Sequence, residues 1–135
     1  MANALYDKGR EGFLDGSIDW DTNDIRVILI DVADYTVNLA THTFLNEVPA
    51  ISRVATSGAL TSKTAAAGVA DAADVVLAAV TGDLSEAIVI YQHTGVETTS
   101  RLIAYIDTAT GLPVTPNGGD ITIQWDNGAN KIFKL

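Results

Sequence analysis

The chain has 135 residues, 47% of them hydrophobic and 19% charged, with 8 Lys plus Arg against 17 Asp plus Glu, for a formal net charge of −9. That length and apolar content suit one domain with its own core and exclude a disordered acidic tail, while few, scattered basic residues argue against tight binding to nucleic acid or an anionic membrane. The absence of cysteine excludes disulfides, thiolate zinc sites and thiol nucleophiles, so stability must come from packing.

Much of the chain is β-branched, rich in Val, Ile and Thr, which leans it towards strands. Apolar runs reach only four to six residues, far below the roughly 20 needed to cross a bilayer. The segment from Met1 to Gly16 carries Asp7, Lys8, Arg10, Glu11 and Asp15 and lacks the apolar core of a signal peptide. A soluble protein without an export signal is the expectation.

Residues 2–16 read as a short, weak helix, because Leu5, Gly9, Gly12, Phe13 and Gly16 fall on one helical face. Glycine costs about 0.8–1 kcal/mol per helical position relative to alanine, so this arm must dock on a surface, either its own domain or a neighbouring subunit. The acidic run Asp19-Trp20-Asp21-Thr22-Asn23-Asp24 has the spacing of a calcium loop, but Asp24 stands where glycine is needed and Ile30 where a bidentate Glu is needed. It reads as a solvated turn.

Residues 25–32, Ile-Arg-Val-Ile-Leu-Ile-Asp-Val, are apolar on both faces and predict a strand covered on both sides. Residues 34–43 are polar and loop-like, and 43–49 predict one helical turn with Thr43 as cap, Asn46 and Glu47 behind it and Pro49 as stop. Short strands are predicted near 53–56 and 74–80, with 61–68 as a loop; a helix over 70–80 is the alternative. The Thr81-Gly82-Asp83-Leu84-Ser85 turn would join 74–80 to 86–92 as a hairpin.

Residues 86–92 and 101–107 are of equal length and nearly apolar throughout, and should pair antiparallel across the polar loop 93–100. Their second apolar face calls for a cover, which could be a loop or another subunit. Two prolines hold 111–116 extended before the Asn117-Gly118-Gly119 turn. A final hairpin of 121–126 and 130–135 is predicted, its three-residue loop Asn127-Gly128-Ala129 placing Ile121, Ile123 and Trp125 on one face with Lys131, Phe133 and Leu135. The whole reads as mainly β: a single antiparallel β-sandwich, jelly-roll-like, over 17–135, with an amino-terminal arm or short helix over 1–16.

Chemistry is sparse. His42 and His93 have no second imidazole at ligand spacing, and Thr56-Ser57-Gly58 and Ser100 lack the Gly-x-Ser-x-Gly context of a nucleophile elbow. No phosphate-binding glycine motif occurs, Gly9-Arg10-Glu11-Gly12 being too short. No catalytic residue, metal ligand or cofactor is expected. Trp20, Tyr35 and Trp125 could form a sugar-stacking face, although core positions suit them better.

The stretches Ala2-Asn3-Ala4-Leu5-Tyr6-Asp7-Lys8-Gly9-Arg10-Glu11, Ile28-Leu29-Ile30-Asp31 followed by Asp34-Tyr35, and Trp125-Asp126-Asn127-Gly128 resemble small virion structural proteins of tailed bacteriophages, with a likeness in general pattern along essentially the whole chain. The resemblance implies a non-enzymatic head decoration (cement) protein that binds the major capsid protein and itself, often as a trimer. It would sit on the capsid surface after synthesis in the host cytoplasm, touching neither nucleic acid nor membrane. The rival reading is a tail- or fibre-associated module that recognises a host-surface glycan or protein through loops 93–100 or 111–119. A small hydrolase is the third reading.

Overall fold

The computed structural model describes residues 3–135 and is mainly β. Its centre is a five-stranded antiparallel sheet in the order β1 (Ala4–Leu5), β8 (Leu102–Ile106), β7 (Ala87–Gln92), β2 (Ile25–Ile30), β3 (Arg53–Thr56). A three-stranded sheet has β5 (Val69–Asp71) between β4 (Thr64–Ala66) and β10 (Phe133–Lys134), and a two-stranded sheet pairs β6 (Val75–Leu77) with β9 (Ile121–Ile123).

Alternation along the central strands sends side chains into two separate cores. On one face Ile25, Val27, Leu29, Ile88, Ile90 and Ile103 pack with Leu77, Ala70 and Trp125 from the two small sheets and their connections. On the other, Ile28, Ile30, Val89, Tyr91 and Tyr105 pack with Tyr35, Leu45 and Val48 from the connection 31–52. The second cover, for which the sequence allows a loop or a subunit, is therefore the chain's own loop. It is tied down by Leu45 N–H to Ser100 O (2.8 Å), Leu102 N–H to Thr43 O (2.9 Å) and Asp7 N–H to Leu39 O (2.8 Å). The Arg53 guanidinium also donates to the carbonyls of Val48 (2.6 Å) and Leu45 (2.9 Å) and to Glu97 (2.8 Å), filling acceptors that the loop's short turns leave over.

The β7–β8 pairing follows the sequence expectation, with Ile88 opposite Ile106 and Ile90 opposite Ala104; the register then shifts so that Tyr91 faces Leu102. Near the amino end the helix α1 is confined to Asp7–Asp15 and is preceded by β1; Ala2 lies outside the described residues. Gly9 and Gly12 form its buried face, as predicted, and Gly16 closes it in the left-handed conformation, φ 83°. The dock is the chain's own sheet: a Cβ on Gly9 would sit 2.8 Å from Leu102 O and 2.9 Å from Ile103 O. The turn at 43–49 is a 3-10 turn over Leu45–Glu47. Its cap is Phe44, and in place of a Thr43 side-chain cap the Glu47 carboxylate accepts the backbone N–H groups of Thr43 and Phe44 (3.0 Å for the latter).

Two predicted hairpins are absent. Residues 74–80 do contain a strand, not a helix, but β6 pairs with β9 and not with β7, both of whose edges are taken by β2 and β8. The terminal hairpin of 121–126 with 130–135 does not form either, because β10 goes to β5. Trp125 breaks that path: its backbone N–H donates to Asp74 Oδ1 (2.9 Å) and its indole N–H to Ala73 O (3.1 Å). The predicted loop 61–68 instead contributes β4, joined to β5 by Ala67 (φ 53°) and Gly68 (φ 78°), the two positive angles of a tight two-residue hairpin turn.

Gly9→Ala should lower stability by about 1–3 kcal/mol, because the new methyl group meets backbone that cannot swing aside. Gly12→Ala should be milder, since its nearest contact is the flexible end of Ile18. Urea unfolding of the two variants checks the order.

Candidate functional site

The two histidines lie on buried tyrosines. His42 stacks on Tyr35 (5.5 Å between ring centres), and its Nδ1 lies 2.9 Å from the Tyr35 hydroxyl and 3.3 Å from the Asn38 backbone nitrogen. A backbone N–H can only donate, so Nδ1 is an acceptor, Tyr35 donates to it, and the Tyr6 hydroxyl at 2.9 Å donates to Tyr35. Tyr6, Tyr35 and His42 thus form a proton-ordered chain under the 31–52 cover, with the lone pair a general base would need already engaged. His93 makes the equivalent local contact with the Tyr91 hydroxyl at 3.1 Å.

Trp20, Tyr35 and Trp125 are all buried, so the sugar-stacking face that they could have formed is not presented. The Trp20 indole donates to Asp71 O at 3.1 Å. Ser57 and Ser100 are buried as well: Ser57 Oγ accepts the Val27 N–H at 3.0 Å, and Ser100 Oγ accepts from Thr94 N–H at 3.1 Å, holding the 93–100 loop shut. Neither serine is brought to a histidine by any hydrogen bond among the described residues.

In the acidic run, Asn23 Oδ1 accepts the Asp19 N–H (2.7 Å) and a Gln92 amide hydrogen (2.8 Å), and Lys63 donates to the Asn23 carbonyl. Asp24 is held low by its hydrogen bond with Arg26, 2.9 Å away. The run is a braced turn.

One grouping escapes sequence reading because its members are far apart in the chain. Carboxylates of Asp31, Asp34 and Asp83 lie within 4.8 Å of one another, with Asp31 buried and the others exposed. The nearby Glu86 carboxyl is pushed up by burial and then by the charge of Asp31. Asp31 Oδ1 accepts the Ala33 N–H (2.9 Å), so Asp31 also braces a turn.

A cavity of about 810 Å3 opens between the main sheet and β9, with Leu29 and Ile88 on one side and Ile121 and Ile123 on the other. Asp126 and Lys131 lie at its polar margin. Asp120, also there, is engaged by the Ala79 N–H at 3.0 Å. A smaller, aromatic-lined pocket of about 300 Å3 lies between α1 and the β4–β5–β10 sheet. Neither is lined by a histidine or a serine. Among the described residues, no helix is long and apolar enough to cross a membrane. No protein-family model matches the chain, and no curated protein matches it.

All four tyrosine phenols are pushed above their ordinary value, in each case first by burial, and Tyr35 reaches about 12. Between pH 10 and 12 the unfolded chain releases phenolic protons that the native state keeps, so stability that is complete below pH 10 declines above it. The slope is at most about 1.4 kcal/mol per pH unit for a tyrosine that keeps its proton in the native state throughout that window. In an alkaline titration, tyrosinate absorbance should rise together with loss of the fold, and Tyr6→Phe should flatten the alkaline slope.

Proposed function

We propose that the chain is a non-enzymatic structural protein of a tailed-bacteriophage virion, a capsid decoration (cement) protein that binds the major capsid protein shell and associates with copies of itself. The observation that carries this reading is the sequence resemblance over Ala2–Glu11, Ile28–Asp31 with Asp34-Tyr35, and Trp125–Gly128. Its described residues are scaffold residues. Tyr6 bonds to Tyr35 beneath the loop cover, Ile28, Leu29 and Ile30 occupy both cores, and Trp125 anchors the return from β9. A likeness in scaffold residues points to shared architecture and assembly, not to shared catalysis.

Exposed apolar side chains add support. Leu14 on α1 is 88% exposed and Ile51 before β3 73%, with Val76, Leu84, Val96 and Leu135 also open. These residues, spread over separate segments, offer contact area to a packed neighbour. The double-faced strands no longer argue for a second copy, since the chain covers them itself. The rival glycan reading loses its aromatic face to burial, and the hydrolase reading loses His42 as a free base to its bond with Tyr35.

Purified protein mixed with capsid shells that lack it should co-sediment with them and raise the temperature at which the shells fall apart. Protein that stays at the top of the gradient and leaves shell melting unchanged would contradict the proposal.

A further inference from the structure

The smaller pocket, between α1 and the β4–β5–β10 sheet, combines two features that the scaffold does not require together. Phe13 of α1 and Phe133 of β10 stand 5.8 Å apart at 50°, and Trp20 meets Phe133 edge-on at 5.2 Å and 83°, making an aromatic box fixed at its base by the Trp20 to Asp71 hydrogen bond. Two exposed carboxylates, Asp19 and Asp21, line the same pocket. They lie near enough that a hydrogen bond with Asp19, and then its charge, raises the Asp21 carboxyl. Aromatic faces attract cations, and carboxylates beside them repel any anionic guest.

We propose that this pocket receives an arginine side chain from a partner protein, its guanidinium laid against the Phe13, Trp20 and Phe133 cluster and paired to Asp19 and Asp21. At about 300 Å3 the pocket is at the small end of ligand sites, and it suits one side chain better than a larger molecule. A planar, forked guanidinium stacks on rings and grips carboxylates in a way an ammonium does not. The chain's own nearby cations do not line the pocket: Lys63, whose charge acts on Asp21 from a distance, donates to the Asn23 carbonyl, and Lys134 is beside Phe133 in β10. The net charge of −9 favours basic partners generally, and this pocket gives that preference a location. The inference stands on the pocket alone, whether the partner is a shell protein or another polypeptide.

The test is an NMR titration at low salt of the full chain with acetyl-Gly-Arg-Gly-amide and its Lys, norleucine and Glu counterparts, followed at the Trp20 indole N–H. The arginine peptide should give saturable shifts at about millimolar concentration, lysine should bind several-fold more weakly, and norleucine and Glu should not bind. The double substitution Asp19→Asn with Asp21→Asn, on exposed side chains, should weaken arginine binding about tenfold, with an unchanged unfolding temperature. Phe13→Leu should weaken it while keeping the pocket apolar. No saturable shift with arginine, equal binding of norleucine or lysine, or undiminished binding in the folded double variant would each overturn the proposal.

Discussion

Strands β2, β7 and β8 carry branched or aromatic side chains on both sides of the pleat, so the central sheet has no face that can be left to water. Burying each such side chain is worth about 1.5–3 kcal/mol, and an uncovered face would forfeit that along a whole row. The remainder of the chain is arranged around this need. The small sheets close one face. The 31–52 connection closes the other, although it has only two 3-10 turns of regular structure, and it holds its place through backbone bonds to 100–102, the Arg53 guanidinium and the Tyr6–Tyr35–His42 chain.

The same demand explains the two close glycines of α1. A helix with an ordinary side chain at position 9 could not approach β8, because Gly9 reaches the strand's backbone only for want of a Cβ, while Gly12 makes room for the Ile18 side chain. The helix is thereby held against the sheet's β1–β8 end, and its Phe13 is carried to the aromatic box with Trp20 and Phe133. Packing of a weak helix and the geometry of the proposed arginine pocket are consequences of one glycine face.

Features governed by local pattern were legible in the sequence. The double-faced strands at 25–30, 87–92 and 102–106, the glycine face and the Arg53–Thr56 strand could be read because burial leaves a period in the residues themselves. Partner choice could not. Both failed hairpins were sound as local turns, but β6 finds its partner β9 far along the chain, and β10 reaches back to β5. The Ala67-Gly68 turn hid because alanine seldom takes a positive φ. Site residues were hardest of all. The Asp31, Asp34 and Asp83 group and the Phe13, Trp20 and Phe133 cluster draw on distant segments, and His42 and His93, which the sequence leaves as lone loop histidines, are fastened to tyrosines.

Hydrogen exchange by mass spectrometry, on protein diluted until it sediments as a monomer, tests most directly whether one chain covers its own sheet on both faces. Peptides spanning β2, β7 and β8 are expected to keep the slow exchange of globally unfolding structure in the monomer, with the 31–52 segment protected beside them. Rapid exchange of those strands in the monomer, recovered only when copies associate, would show that the second cover comes from a neighbour and would contradict this account.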